Sequence, residues 1–144
     1  MEAYINVVVL DQLNRILLVK EKGGIEKLPS GKEFLKPSKW GLPGGVKEDG
    51  EEEVDTAIRE VKEESGIWIE IEPGIRDEKM AEDHINITLL GHPLEGKLKS
   101  NSSEIGSCRW FPLHILRDGN FDIYFSHRQR AQKILRKLKK EWFL

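Results

Sequence analysis

The chain has 144 residues, 38% hydrophobic and 33% charged, with 23 Lys+Arg against 25 Asp+Glu and a formal net charge of −2. That places it outside the disordered range, gives it room for one ordinary domain, and removes the bulk charge expected of a nucleic-acid or membrane-surface binder. The single cysteine, Cys108, excludes an intrachain disulfide and a Cys-based zinc site, and no run approaches the roughly 18 apolar residues of a spanning helix. Met1-Glu2-Ala3 carries no basic flank of a signal peptide. The expectation is a soluble, cytoplasmic, single domain over residues 1–144.

Residues 3–10 and 15–20 are rich in Val, Ile and Leu and read as two strands, joined by the polar turn Asp11-Gln12-Leu13-Asn14. Residues 21–38 break every period with Gly23-Gly24, Pro29, Gly31 and Pro37 and read as a long irregular loop. It carries Lys22, Lys27, Lys32 and Lys36. The breakers return at Trp40-Gly41-Leu42-Pro43-Gly44-Gly45, and residues 51–65 then take up helical spacing. Strands are expected at 67–71, 84–90 and 108–111, with a helical turn near 112–116. Residues 128–142 place Ala131, Ile134, Leu135, Leu138 and Trp142 on one face of a closing helix. Strands around a central helix, closed by a second helix, define a mixed α/β or α+β class.

The informative segment is 45–67. Asp49 is placed to cap the helix with Glu52 three positions on, and Gly66 stands where a left-handed cap is wanted. Val54, Ala57, Ile58 and Val61 form an apolar stripe, and Glu60, Glu63 and Glu64 form a second one beside it. Carboxylates three and four positions apart lie close enough to raise one another's pKa unless cations sit among them. Oxygen donors without histidine or cysteine select hard cations, magnesium before zinc, and magnesium commonly works beside substrate phosphates. Gly44-Gly45 lets backbone carbonyls turn towards the same place. The alternative is a solvated acidic helix, since nine acids and three bases lie between Lys47 and Glu64.

The spacing separates these readings. Gly45, Glu51, Arg59-Glu60-Val61, Glu63-Glu64 and Gly66-Ile67 fill every specified position of the pattern G-x5-E-x7-R-E-U-x-E-E-x-G-U, with U a bulky aliphatic residue. A chance match is on the order of 10⁻⁹ per start position. The segment resembles the Nudix box, and the lead-in from Trp40 to Gly45 with two preceding strands extends the resemblance. It implies a Nudix-type α/β/α sandwich with a central mixed β-sheet. The activity implied is that of a pyrophosphohydrolase, in which water attacks phosphorus of a nucleoside diphosphate linked to another moiety. Magnesium is the implied cofactor, with manganese as a substitute. By resemblance Glu60, Glu63 and Glu64 hold metal with a carbonyl of Gly44 or Gly45, and Arg59 pairs with Glu51 to brace loop against helix. The resemblance also implies a further acid from a loop after the box, as metal ligand or general base, and Glu104, ahead of Trp110-Phe111, is the candidate, with Glu82, Asp83 and Glu95 as competitors.

Substrate choice is set outside the box. Lys20 and Lys39 are candidate phosphate contacts and Phe34 a candidate base-stacking residue, against the reading of a solvated insertion. A nucleoside triphosphate giving a monophosphate and pyrophosphate is the narrower expectation. The seven basic residues between Arg128 and Lys140 read as the wet face of an amphipathic helix. His84, His92, His114 and His127 show no ligand spacing, Trp40, Trp68 and Trp110 are expected in or beside the core, and Cys108 is expected buried. The partner is a small nucleotide, with neither membrane nor nucleic acid, and the chain is a monomer or homodimer. The alternative to an enzyme is a Nudix-fold sensor or RNA-binding module without turnover; such modules commonly lose box carboxylates, and here all are present.

Overall fold

Alternation in the first apolar run sorts its side chains between two cores. In the computed structural model, which describes residues 1–36, 38–99, 103 and 105–140, strand β1 (Glu2–Val9) sends Ile5, Val7 and Val9 to one side and Val8 to the other. A tight turn follows, in which Asp11 accepts backbone N–H bonds from Leu13 at 3.0 Å and Arg15 at 2.8 Å. Strand β2 (Arg15–Glu21) repeats the sorting, with Leu17 on the first side and Ile16 and Leu18 on the second.

Residues 21–38, expected to be irregular, instead contain a hairpin of β3 (Gly24–Lys27) and β4 (Glu33–Lys36). Pro29 and Gly31 fall in the connecting turn, where Gly31 takes φ +88° and its N–H bonds the carbonyl of Leu28 at 2.8 Å. Ile25 pairs with Leu35 across it, and both remain exposed. Two short strands follow, β5 (Trp40–Gly41) and β6 (Gly44–Val46). Helix α1 (Glu53–Ser65) then leads into a long hairpin of β7 (Ile67–Met80) and β8 (His84–Gly96). These strands run well beyond their expected ends at 71 and 90. Strand β9 (Ile105–Pro112), a 3-10 turn (Leu113–Arg117) and helix α2 (Phe125–Lys137) complete the described chain. Pro37, Glu104 and Trp142 lie outside the described residues.

The central layer is two sheets. One has the order β6-β1-β8-β7, mixed because β1 and β8 are parallel while its other pairs are antiparallel; the other is antiparallel, β5-β2-β9. A bridge between Leu10 and Ile16 ties them together. Helix α1 covers one side through Ala57 and Val61, and α2 covers the other through Ala131, Ile134 and Leu135, all fully buried. The result is the expected α/β/α sandwich. Trp40 and Trp110 pack on the cores, but Trp68 lies 43% exposed, its ring beneath the Lys62 ammonium at 5.2 Å. Cys108 is half-buried rather than buried. No helix among the described residues is long and apolar enough to cross a membrane.

Candidate active site

Helix α1 begins later than its sequence suggests. Glu52 is the N-cap, and its N–H bonds Asp55 Oδ2 at 3.0 Å, so the capping pair sits three residues beyond Asp49 and Glu52. This shift frees Glu51 to face the helix. Arg59 donates to it twice, Nε to Oε2 at 2.8 Å and Nη2 to Oε1 at 2.9 Å, in the planar fork that suits a carboxylate. The Glu48 N–H and the Thr56 hydroxyl complete the shell of Glu51 at 2.9 and 3.1 Å. Arg59 first, and then the Glu48 N–H, hold the Glu51 carboxyl down at about 2. Glu51 in turn pushes the guanidinium pKa up. At the far end Gly66 takes φ +78° and donates to the carbonyl of Lys62 at 2.9 Å, a left-handed cap that only glycine adopts cheaply.

Between these caps, Glu60 and Glu64 are four residues apart and face β6. Gly45 lies so close to the helix that a Cβ there would stand 2.4 Å from Glu60 Oε1. Gly44 donates its N–H to Glu64 Oε1 at 2.7 Å. Burial raises the Glu60 pKa, opposed by Arg59, whose Nη1 donates to Oε1 at 2.9 Å. Burial also pushes Glu64 up, to about 8; the Gly44 N–H opposes it, and the carboxylates of Glu60, Glu21 and Glu63 add to it. Glu63 is exposed on the outer side of this pair, with its Oε2 3.6 Å from Arg59 Nη1.

Glu60, Glu64, Gly44 and Gly45 share a cavity of about 410 Å³ with Glu21, Lys39, Asn6, Tyr124, His127 and Arg130. The structure thus brings six of the expected residues together or into direct support: Glu60, Glu64, Gly44, Gly45 and, one layer out, the Arg59–Glu51 pair. Lys39 lines the cavity as well, 3.8 Å from Asp122. Lys20 and Phe34 do not. Val19 and Glu21 line it, so strand alternation turns Lys20 the other way, 5.7 Å from the centre of the Trp40 ring. Phe34 sits on the exposed hairpin. A wider groove of about 970 Å³ opens beside Leu10–Arg15 and His92–Gly96 and contains none of the box carboxylates.

Sequence reasoning missed Asn6, Glu21, His127 and Arg130. One signal was available for Asn6, a lone polar residue inside the apolar run that begins at Ile5. The seven basic residues of the closing segment are also not all a wet face. Arg128 donates to the carbonyls of Ile115, Leu116 and Phe121 at 3.3, 2.8 and 3.1 Å, and Arg130 donates to Asn6.

Among the described residues no three His, Cys, Asp or Glu side chains converge as a metal cluster. The reason is visible in the hydrogen bonds: Arg59 draws Glu60 and Glu63 towards itself, and Gly44 holds Glu64. The donor set nevertheless suits a hard divalent cation. It is made of oxygens, two carboxylates in it are lifted by burial and mutual repulsion, and two glycines keep side chains out of the space beside them.

Glu60, held by Arg59, and Glu64, held by the Gly44 N–H, stand half-buried against a glycine-bearing strand within an α/β/α sandwich. The NUDIX domain model matches residues 2–137, and the chain belongs to the Nudix family. It is similar to Nudix hydrolase 2 of Arabidopsis thaliana, 28% identical over 113 residues that make up 75% of this chain; it spans 38% of the length of that relative. Among solved structures, an ADP-ribose pyrophosphatase from Streptococcus suis 89-1591 superposes with a TM-score of 0.67 at 22% identity, covering 97% of this chain and 93% of that one. The MutT protein from Methanosarcina mazei Go1 gives 0.70 at 19% identity, covering 96% and 95%. At these identities the two structures establish the fold.

Proposed function

We propose that the chain is a divalent-metal-dependent pyrophosphohydrolase acting on a nucleoside diphosphate linked to another moiety, with a nucleoside triphosphate as the narrower substrate. One observation carries this reading: Glu60 and Glu64 are both held against the Gly44-Gly45 backbone inside one cavity. The names of the similar proteins, a hydrolase and a pyrophosphatase, support it.

Glu60, Glu64 and Glu63, with a carbonyl of Gly44 or Gly45, would hold magnesium or manganese. A bound divalent cation supplies Lewis-acid neutralisation of the charge that builds on phosphoryl oxygens. The protein's own groups do the rest. The Arg59–Glu51 pair locks the first turn of α1 to the preceding loop and fixes the direction of Glu60. Glu60 or Glu64 orients the attacking water, and placement of that water supplies most of the entropic advantage. Glu104 is the proposed further acid; Glu21, which lines the cavity, takes that role if Glu104→Gln leaves the rate unchanged.

The test is a panel of nucleoside triphosphates, dinucleoside polyphosphates, nucleotide sugars and ADP-ribose, each with magnesium or EDTA, read out as phosphate and pyrophosphate. Metal-dependent turnover of one class is the expected result. Silence across the panel, from folded protein that binds magnesium, would overturn the reading in favour of a nucleotide-binding module.

A further inference from the structure

We infer that Arg130 is the phosphate-binding cation of this cavity, gripping an oxyanion of the substrate's phosphate chain from the α2 side. The inference rests on the proposed reading only in that the cavity accepts a polyphosphate.

The argument starts on β1. Ile5, Val7 and Val9 face α1, so Tyr4, Asn6 and Val8 face α2, and Asn6 is the buried polar residue of that row, 8% exposed. A buried amide needs partners. Its Oδ1 accepts from Arg130 Nη1 at 2.9 Å. Its Nδ2 stands against the box loop, close enough that a Cβ on Gly44 would lie 2.9 Å away. Asn6 therefore sets Arg130 at a fixed place relative to the loop that holds Glu64.

Arg130 makes no ion pair with a carboxylate among the described residues, and Asn6 Oδ1 is its one hydrogen-bond partner there. It is half-buried, and burial pushes its pKa down with no carboxylate opposing. A guanidinium withdrawn from water with most of its donors unused is costly unless something anionic completes it. Arg128, two residues earlier on the same helix, shows the contrast. Its guanidinium is occupied by three backbone carbonyls.

The neighbours of Arg130 in the cavity are donors too. His127 Nδ1 accepts the Leu42 N–H at 2.9 Å, which leaves the neutral ring its proton on Nε2, and Lys39 also lines the cavity. A cavity with carboxylates on the α1 side and, on the α2 side, a guanidinium that spends one donor on Asn6 fits a phosphate chain laid between them. Glu60 and Glu64 would hold a divalent cation that offsets phosphoryl charge, and Arg130 takes phosphoryl oxygens from the opposite side. The planar fork matches two oxygens of one phosphoryl group, which an ammonium cannot do.

The experiment titrates the full chain with inorganic pyrophosphate by calorimetry, in magnesium and in EDTA, for wild type, Arg130→Gln and Arg130→Lys. Wild type binds in at least one buffer. In that buffer Arg130→Gln weakens binding by about tenfold or more, and Arg130→Lys falls between. The melting temperature of at least one variant stays within about 4 °C of wild type. With a hydrolysed nucleotide, Arg130→Gln raises KM by a similar factor and changes kcat by less than about threefold, the pattern of lost ground-state binding.

Wild-type pyrophosphate affinity in Arg130→Gln overturns the inference. So does absence of pyrophosphate binding by wild type in both buffers, or loss of the fold in both variants, which would make Arg130 part of the scaffold. A variant that loses affinity for a phosphate-free nucleoside but not for pyrophosphate also overturns it, by assigning Arg130 to the base. Failure of the hydrolase reading is separate. A wild type without turnover that binds pyrophosphate through Arg130 upholds the inference alone.

Discussion

The two helices have equal length, thirteen residues each, and bury their apolar stripes against opposite sides of the same sheets, yet they deliver charge to the cavity differently. Helix α1 carries acids whose partners lie nearby in sequence. Arg59 reaches Glu51 eight residues away and Glu60 next to it. Helix α2 carries bases whose partners lie outside the helix, from Arg128 on Phe121 seven residues away to Arg130 on Asn6, 124 residues apart. Local charge networks write a motif into the sequence. Distant ones leave only a polar residue in an apolar strand and an arginine among other basic residues.

The strongest way to break the comparison is to remove the chemistry from α1. Glu64→Gln and Glu60→Gln are each expected to lower turnover at least ~100-fold, about 2.7 kcal/mol of transition-state stabilisation, with the fold intact. Millimolar magnesium is expected to raise the melting temperature of wild type, and both variants should blunt that rise. Wild-type rates in both variants would remove the metal assignment, and calorimetric scans with and without magnesium check the second half.

On the α2 side the larger effect concerns acid. Burial, with the Arg130 charge beside it, holds the His127 pKa at about 4, below its ordinary 6.5. The unfolded chain therefore binds the extra proton between those values. The contribution of His127 to stability is complete above about pH 6.5 and is lost as pH falls towards 4. Between pH 7 and pH 5 the loss is about 2 kcal/mol. Urea unfolding of wild type and His127→Asn across that range measures it. Equal slopes in the two proteins would show that the imidazole is not the titrating group.

Arg128→Ala sharpens the contrast within α2. It strips the carbonyls of Ile115, Leu116 and Phe121 of a donor and should cost about 1.5 kcal/mol of stability. Turnover per folded molecule should stay unchanged. A fall in kcat/KM without a fall in stability would move Arg128 into the binding site. The smallest effect is expected at the exposed hairpin, where Phe34→Ala should change stability by less than about 0.5 kcal/mol and leave KM alone. A raised KM would bring the hairpin over the cavity and restore Phe34 as a base-stacking residue.

These contrasts also explain what could be read from sequence. The family and the sandwich were legible, because the motif fixes the spacing of the acids along α1 and needs glycine in the preceding segment where Glu60 approaches within 2.4 Å of a would-be Cβ. The start of α1 was misread by three residues because 47–55 is dense in acids, and several could serve as cap. The hairpin was hidden because Gly23-Gly24, Pro29 and Gly31 break every period, when Gly23-Gly24 only lead into β3 and Pro29 and Gly31 sit in one turn between two short strands. The extensions of β7 and β8 carry Pro73, Gly74 and Pro93, residues that weaken a strand signal. Their pairing register shifts between Ile71 and Arg76 to accommodate that stretch.

The span of the bond between Asn6 and Arg130 predicts an order of events in folding. The box helix and its loop close over short spans of chain, whereas this bond closes a loop of 124 residues and joins a strand near one end of the sequence to the last described helix. Helical signal and magnesium affinity should return early when denatured protein is diluted into buffer. Affinity for pyrophosphate should return only when α2 docks, so the anion is a reporter of the final assembly step. Stopped-flow traces of the two signals that coincide would show instead that both walls of the cavity form together.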